Sequence, residues 1–402
     1  MVGNLVLTIL MLCVMVVIHE LGHFLVAKLF GVKVLEFSIG MGPAIFTTKK
    51  KDKNKSKKNK NAAPEIADTF NFEEVSDQAD NSSDTNEGED VEIPEKTVFS
   101  IRAFPIGGFV SMLGEDGHST DSRAFCNKKP LQKIAISLAG PAMNIILGIL
   151  CMCLLVGVEA GTNNGILASN TVGEFINESY VVEDETLYFD SKSDECANPL
   201  KVGDKIIKVD GVRVHTGNEL VYEISHKAHE PIDLTVIRNG EKIVLHDVTF
   251  PTMESQGVTF GDVDFRVMGE KVGFVSFLKH AVFRSFSTVK MVIDSIVDML
   301  TGRYGIDAVS GPVGVSSAVG DALKAGFYSV LYLFTLITMN LGIMNLLPLP
   351  ALDGGHLIFH FYELIFRKPI KKEISGAVNV IGFMLLMALA LFITVKDVLN
   401  LF

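Results

Sequence analysis

Cysteine is scarce in this 402-residue chain and poorly placed for cross-linking. Of the five, Cys13, Cys151 and Cys153 lie in apolar segments, while Cys126 and Cys196 stand alone, which excludes a disulfide framework. Charge is missing from the first apolar run, which stays almost wholly hydrophobic from Leu5 to Ile18. That run also lacks a basic leader and a small-residue cleavage site, so it does not read as a removable secretory signal. The net charge of −11 says little about partners because one acidic stretch dominates it, and no nucleic-acid partner is expected.

Hydrophobicity is what the chain has in excess. It is 48% hydrophobic with a mean hydropathy of +0.34, although 21% of its residues are charged. Four stretches supply the roughly 20 mainly apolar residues that a bilayer crossing needs. They place transmembrane helices at 1–30, 131–158, 325–356 and 374–397, so the expected fold class is a polytopic α-helical membrane protein.

Between these helices the character changes repeatedly. Residues 49–96 join the lysine block "KKKDKNKSKKNK" to an acidic, polar tract that cannot bury enough apolar surface to fold, a disordered insertion. Basic loops stay cytoplasmic, which sets the end of the first helix inside the cell and 159–272 outside it. In that outer segment "DLTVIRNGEKIVLHDVTF" alternates around Asn239-Gly240, a hairpin signal. "LKVGDKIIKVDGVRV" repeats the strand-and-turn rhythm, and "NELVYEISHKA" suits one short helix, so a small β-rich domain is expected. Residues 98–113 alternate and contain Gly107-Gly108, which reads as strand. Segment 273–303 is apolar at helical spacing yet carries Lys279, Arg284, Lys290, Asp294 and Asp298. It reads as an interfacial amphipathic helix rather than a fifth span.

The first helix ends in "VVIHELGHFLVAK". Imidazoles and a carboxylate at membrane depth are costly and mark function. His19 and His23 stand at i and i+4 on one helix face and can reach one metal ion, with Glu20 beside them as general base. Zinc suits this ligand set, and a catalytic zinc takes three protein ligands and one water, so a third ligand must come from elsewhere. The stretch "NLGIMNLLPLPALDGGHLIF" breaks the third helix with Pro348, Pro350, Gly354 and Gly355. Broken backbone is tolerated at that depth only where it is buried or lines a cavity. Asp353 sits on this break and is the first choice for third ligand, with His356 next. Asp294 and Asp298 read as the polar face of the amphipathic helix, and Glu363, ahead of Arg367 and Lys368, reads as half of a solvated pair.

HExxH in the first helix and N-x-x-P-x-P-x-L-D-G-G in a late one resemble the site-2 protease family of intramembrane zinc metalloproteases, in particular its bacterial, sigma-factor-regulating branch. The resemblance implies that His19, His23 and Asp353 bind one zinc ion, that Glu20 activates water, and that Asn345 helps bind substrate. It implies membrane-associated β-strands at 31–48 and 97–118, and a PDZ-like fold for 159–272. "AGPAMN", 139–144, resembles the family's second-span signature; alone it reads as small-residue helix packing. "SGPVG", 310–314, reads alone as an ordinary loop. The implied function is regulated intramembrane proteolysis of single-pass membrane proteins, such as anti-sigma factors and leftover signal peptides, after a first cut by a site-1 protease. The implied place is the bacterial cell membrane, with the active site toward the cytoplasmic side. Two other classes fit less well. A metal transporter would repeat ligands over several helices and needs no glutamate beside one; a structural zinc site would be closed by a fourth ligand.

Overall fold

The computed structural model describes residues 2–48, 96–115, 119–176, 179–182, 185–188, 200–255, 258–303, 305 and 309–399. The insertion expected at 49–96 lies outside the described residues except for its last, Lys96. The chain forms two compact units, one of Ile9–Gly140 with His356–Lys372, the other of Met1–Thr8, Pro141–Gly355 and Glu373–Phe402. Helices α1 (Val2–Leu29), α2 (Pro130–Thr162) and α7 (Asp353–Phe366) contribute to each.

In the first unit, α1 leads into strand β1 (Val34–Thr47), which pairs antiparallel with β2 (Val98–Met112) from Val34↔Met112 to Thr47↔Ser100. The register slips repeatedly, and Gly40 marks one reason: a Cβ there would lie 2.4 Å from the Phe104 carbonyl. One end of this hairpin packs Val34, Phe37, Val110 and Met112 against Ala27 of α1 and Ile136 of α2. The other end exposes Met41, Ile45, Phe46, Phe99, Ile101 and Phe104, an apolar surface that water does not favour.

The second unit holds a β-rich domain. Its strands are β3 (Ile166–Phe175), β4 (Ser179–Val182), β5 (Glu185–Tyr188), β6 (Lys205–Val209), β7 (Val212–Arg213), β8 (Ile232–Arg238), β9 (Glu241–Val248), β10 (Thr252–Ser255), β11 (Val258–Gly261) and β12 (Phe265–Lys271). The main sheet runs β12-β3-β6-β8-β9, with β7 on β6. Asn239 and Gly240 both take positive φ and close the β8–β9 hairpin at the Arg238↔Glu241 pair, as the sequence signal requires. Helix α3 (Gly217–Lys227) starts with a capping box in which Thr216 and Glu219 satisfy each other's backbone donors. Val172, Leu220, Ile224, Leu234, Val236 and Leu245 form the core under the sheet. Buried Asp204 is neutralised by the Arg238 guanidinium.

Helix α4 (Phe274–Thr301) is amphipathic in the sense expected, but its polar face points inward. Tyr222 donates to Asp294, Lys290 pairs with Glu223, and His226 meets Asp298, so the acidic side chains dock α4 onto α3. Phe274, Leu278, Phe286, Ile293, Val297 and Leu300 are left exposed.

Helix α5 (Pro312–Ala325) begins inside the stretch read as an ordinary loop, with Asp397 accepting from the Gly311 and Gly314 amides at its start. Helix α6 (Phe327–Leu346) and α8 (Lys372–Leu399) complete the unit. Among the described residues, four helices are long and apolar enough to cross a membrane: those at Gly3–Leu29, Pro130–Thr162, Phe327–Leu346 and Glu373–Leu399. The stretch read as one helix over 325–356 is divided: α6 ends at Leu346 and α7 starts afresh at Asp353.

Candidate metal centre

The unbroken helix α1 carries His19, Glu20 and His23 near its C-terminal end. Helical spacing puts the two imidazoles one above the other, with ring centroids 4.9 Å apart. Their Nε2 atoms lie 3.2 Å from each other, close to the roughly 3.3 Å that two nitrogens of a tetrahedral zinc adopt at ordinary Zn–N lengths. Both side chains are buried.

A second contact fixes the chemistry of His23. Its Nδ1 lies 2.8 Å from the Ile136 carbonyl oxygen, which can only accept, so Nδ1 carries the proton and donates. The Nε2 lone pair of neutral His23 is thereby left for a metal, and the ring is held in orientation. Gly140, one turn further along α2, completes the cradle. A Cβ at that position would fall 2.3 Å from His23 Nε2 and 2.7 Å from His19 Nε2, where no atom could stay. Two imidazoles beside a space that even a methyl group would fill are suited to holding a cation.

Glu20 is half-buried, with strand β2 close by. A Cβ on Gly108 would lie 2.9 Å from the Ser38 carbonyl and 3.4 Å from Glu20 Cγ, so glycine lets β2 run tight beside the glutamate.

Asp353 and Asn345 belong to the other unit. Asn345 stands half-buried in the last turn of α6. After Leu346 the chain turns through Pro348 and Pro350, with Ala351 at φ +67° and its amide donating to Asn379 Oδ1 of α8. Asp353 then opens α7, half-buried, in the acidic-first-turn position that suits a helix N-terminus. A Cβ on Gly354 would lie 2.0 Å from the Leu347 carbonyl, and one on Gly355 would lie 2.4 Å from that of Leu349. The glycine pair therefore lets the helix start fold directly back on the break.

The alternative ligands fare differently. His356 is exposed on α7. Asp294 and Asp298 are engaged by α3. Glu363 corrects the sequence reading: instead of a solvated pair with Arg367 or Lys368, it receives two hydrogen bonds, of 2.9 and 3.0 Å, from the buried Lys133 of α2. Sequence reasoning overlooked Gly140 and the Ile136 carbonyl as supports of the histidines. Gly140 had a signal in "AGPAMN"; a backbone carbonyl has none.

The chain matches the family described as Peptidase family M50 over residues 7–57 and 91–389. A Clostridium acetobutylicum protein whose name assigns it provisionally to the zinc metalloproteases is 32% identical over 402 residues, covering 98% of this chain and 97% of its own. The zinc metalloprotease RasP of Shouchella clausii is 28% identical over 434 residues, covering 97% of each chain. RasP of Geobacillus kaustophilus is also 28% identical, covering 96% of each. With the family match running over most of its length and a histidine pair shaped for a metal ion, this chain belongs to peptidase family M50, the site-2 protease family, and is a multi-pass membrane zinc metalloprotease.

Proposed function

We propose that the chain cleaves single-pass membrane proteins within or beside their transmembrane helices, with one zinc ion held by His19, His23 and Asp353. In this reading the ligands are a His2Asp donor set, its two histidines buried and its aspartate half-buried. The observation that carries the reading is the locked tautomer of His23, whose Nδ1–H···O bond to Ile136 leaves Nε2 as a lone-pair donor. Zinc in such a site lowers the pKa of a water toward 7 and polarises a carbonyl. Glu20 is the general base: it takes a proton from the attacking water and hands it to the leaving amine. His19 and His23 act as neutral ligands, and Asn345 binds the substrate backbone. The neighbouring edge of β2 offers main-chain groups on which an extended segment can pair, which a helical substrate needs before its scissile amide is reachable.

The substrates in this reading are anti-sigma factors and remnant signal peptides, delivered after a site-1 protease has shortened them outside the cell. In the same proposal the β-rich domain is a single PDZ-like module that stands on the extracytoplasmic side of the bacterial cell membrane. The active site then lies toward the cytoplasmic side. The order of strands around α3 and the hydrophobic core of 166–271 support an independent domain there.

Glu20→Gln tests the chemistry apart from the metal. The variant is expected to keep its zinc by elemental analysis and to lose proteolysis of a panel of truncated single-pass proteins. Cleavage at the wild-type rate by that variant would sink the mechanism. Zinc carried across the membrane with no proteolysis would instead make the chain a transporter.

A further inference from the structure

The β-rich domain has a cationic face that the proteolytic reading does not use. A cavity of about 380 Å³ opens on it, and its lining includes Lys205, Lys208, Arg213, Lys242 and Lys279. Among the described residues no carboxylate lines this cavity. Lys279 has an acidic partner, Glu270 at 3.3 Å; the other four cations have none among the described residues.

Strand register explains why the four converge. Lys205 and Lys242 both stand opposite Ile237, one from each neighbouring strand, so all three project from the same side of the sheet. The β6–β8 register slips between Ile206 and Lys208, and that bulge puts Lys208 opposite Thr235, on the same side as Lys205. Arg213 is the direct cross-strand partner of Lys208. The opposite side carries Ile206, Leu234 and Val236 into the core. Like charges directly opposite each other on a sheet are destabilising, so the Lys208–Arg213 pair is an unrelieved cost in the protein alone.

An anion relieves that cost, and the surroundings indicate which kind. Lys279 belongs to α4, and its neighbours Val275, Leu278 and Val282 are exposed. The same half of α4 packs on the end of the membrane-spanning helix α2, through Ala281 against Val156 and through the Arg284–Glu159 ion pair. Glu159 lies in the last turn before α2 ends at Thr162. The cationic cavity is therefore joined, through one short helical segment, to apolar side chains at the level where a span leaves the bilayer. Phosphates and hydrocarbon meet at that level.

We infer that this face is a binding site for the anionic headgroups of membrane phospholipids, with Lys205, Lys208, Arg213 and Lys242 receiving the phosphate and the exposed side chains of α4 meeting the acyl region. The inference rests on the membrane embedding of the chain and not on its zinc ligands or substrate.

The test is native mass spectrometry of the full chain in a neutral detergent, titrated with dihexanoyl phosphatidylglycerol, dihexanoyl phosphatidylcholine, inorganic phosphate and a polyglutamate peptide. Phosphatidylglycerol is expected to bind at least about tenfold tighter than phosphatidylcholine, and less tightly as salt rises. Lys208→Gln with Arg213→Gln is expected to weaken phosphatidylglycerol about 25-fold, at about fivefold per cation, and to leave phosphatidylcholine unchanged. The same pair is expected to raise Tm without lipid, because the opposed charges are gone. Should that double variant misfold, Lys242→Gln alone is expected to cost about fivefold. Lys324→Gln, an exposed lysine outside the cavity, is the control and is expected to change nothing. Equal affinity for the two lipids, or undiminished phosphatidylglycerol binding in the folded variants, overturns the inference. So does phosphate binding as tightly as the lipid, which would make this a free-anion site. Displacement of the lipid by polyglutamate would make it a site for an acidic protein segment instead.

Discussion

His23 of α1 and Ile136 of α2, 113 residues apart, are joined by a 2.8 Å hydrogen bond from imidazole Nδ1 to a backbone carbonyl. The helix that supplies this acceptor also supplies Gly140, one turn on. Gly140→Ala is expected to lower zinc affinity by about tenfold or more, the scale on which disturbed ligand supports act. Helix propensity would favour alanine, so thermal stability without metal is not expected to fall in proportion. Zinc content after dialysis, measured beside Tm, checks this. Full zinc retention by the alanine variant would show that the cradle is looser than its geometry.

The choice between Asp353 and His356 as third ligand is open to a direct comparison. Asp353→Ala is expected to reduce bound zinc several-fold, while His356→Ala is expected to leave it unchanged. The reverse pattern in elemental analysis would move the assignment to His356.

Lys133 and Glu363 form a buried ion pair between α2 and α7. Lys133→Met strands the Glu363 carboxylate, and the expected loss is about 3 kcal/mol, the low end for breaking such a pair because Glu363 keeps some exposure. Met at both positions is expected to recover most of that loss, since the stranded charge is gone. Chemical denaturation in detergent measures both. Equal stability of the single and double variants would mean that the stranded Glu363 carboxylate costs nothing.

His280 of α4 is buried and donates to Glu270 at 2.7 Å. Burial pushes the His280 imidazole below its ordinary 6.5, with the Glu270 contact opposing. Burial also pushes the Glu270 carboxyl up, but the His280 hydrogen bond and the Lys279 charge outweigh it and hold Glu270 below 4.5. Both folded values are depressed, so in acid the unfolded chain binds more protons than the folded one. Stability is thus full above about pH 6.5 and declines as pH falls, first through the histidine range and then through the carboxylate range. His280→Gln keeps a donor to Glu270 but cannot titrate, and is expected to flatten the first part of that decline. A Tm-against-pH curve identical to the wild type from 7 to 5 would refute the assignment.

The β-rich domain makes a separate claim on selectivity. A zinc protease hydrolyses a bond that every protein contains, so selection has to depend on access. Deleting most of 165–262 is expected to preserve zinc and to permit cutting of an untrimmed single-pass substrate. Loss of cutting even for a pre-trimmed substrate, in a folded and metal-bound variant, would favour a receptor role for the domain over a size filter.

Much of this was legible in the chain itself. Asn239-Gly240 specified its hairpin, because few other residue pairs accept two consecutive positive φ angles. HExxH specified the paired imidazoles on one face of α1, because helical spacing alone brings His19 to His23. The four apolar helices followed from length and composition. What escaped reading depended on partners distant in sequence. Glu363 looked solvated beside Arg367 and Lys368 because nothing local points to Lys133, 230 residues away. The start of α5 looked like a loop because Asp397, which accepts from its first amides, comes more than 80 residues later. The inward polar face of α4 was likewise invisible, since periodicity gives the face and not the side that meets protein.

The break between α6 and α7 works as a ruler. Leu347 to Leu352 are six residues, and the carbonyls of Leu347 and Leu349 press on Gly354 and Gly355, which have no room for a side chain, so the segment has little slack with which to absorb a change in length. One residue added between Leu347 and Asp353 would turn the carboxylate by about 100° around its helix axis. Substitutions in the segment can be repacked, but an insertion cannot. The position of the proposed third ligand is thus set by counting residues, in a segment that carries neither histidine.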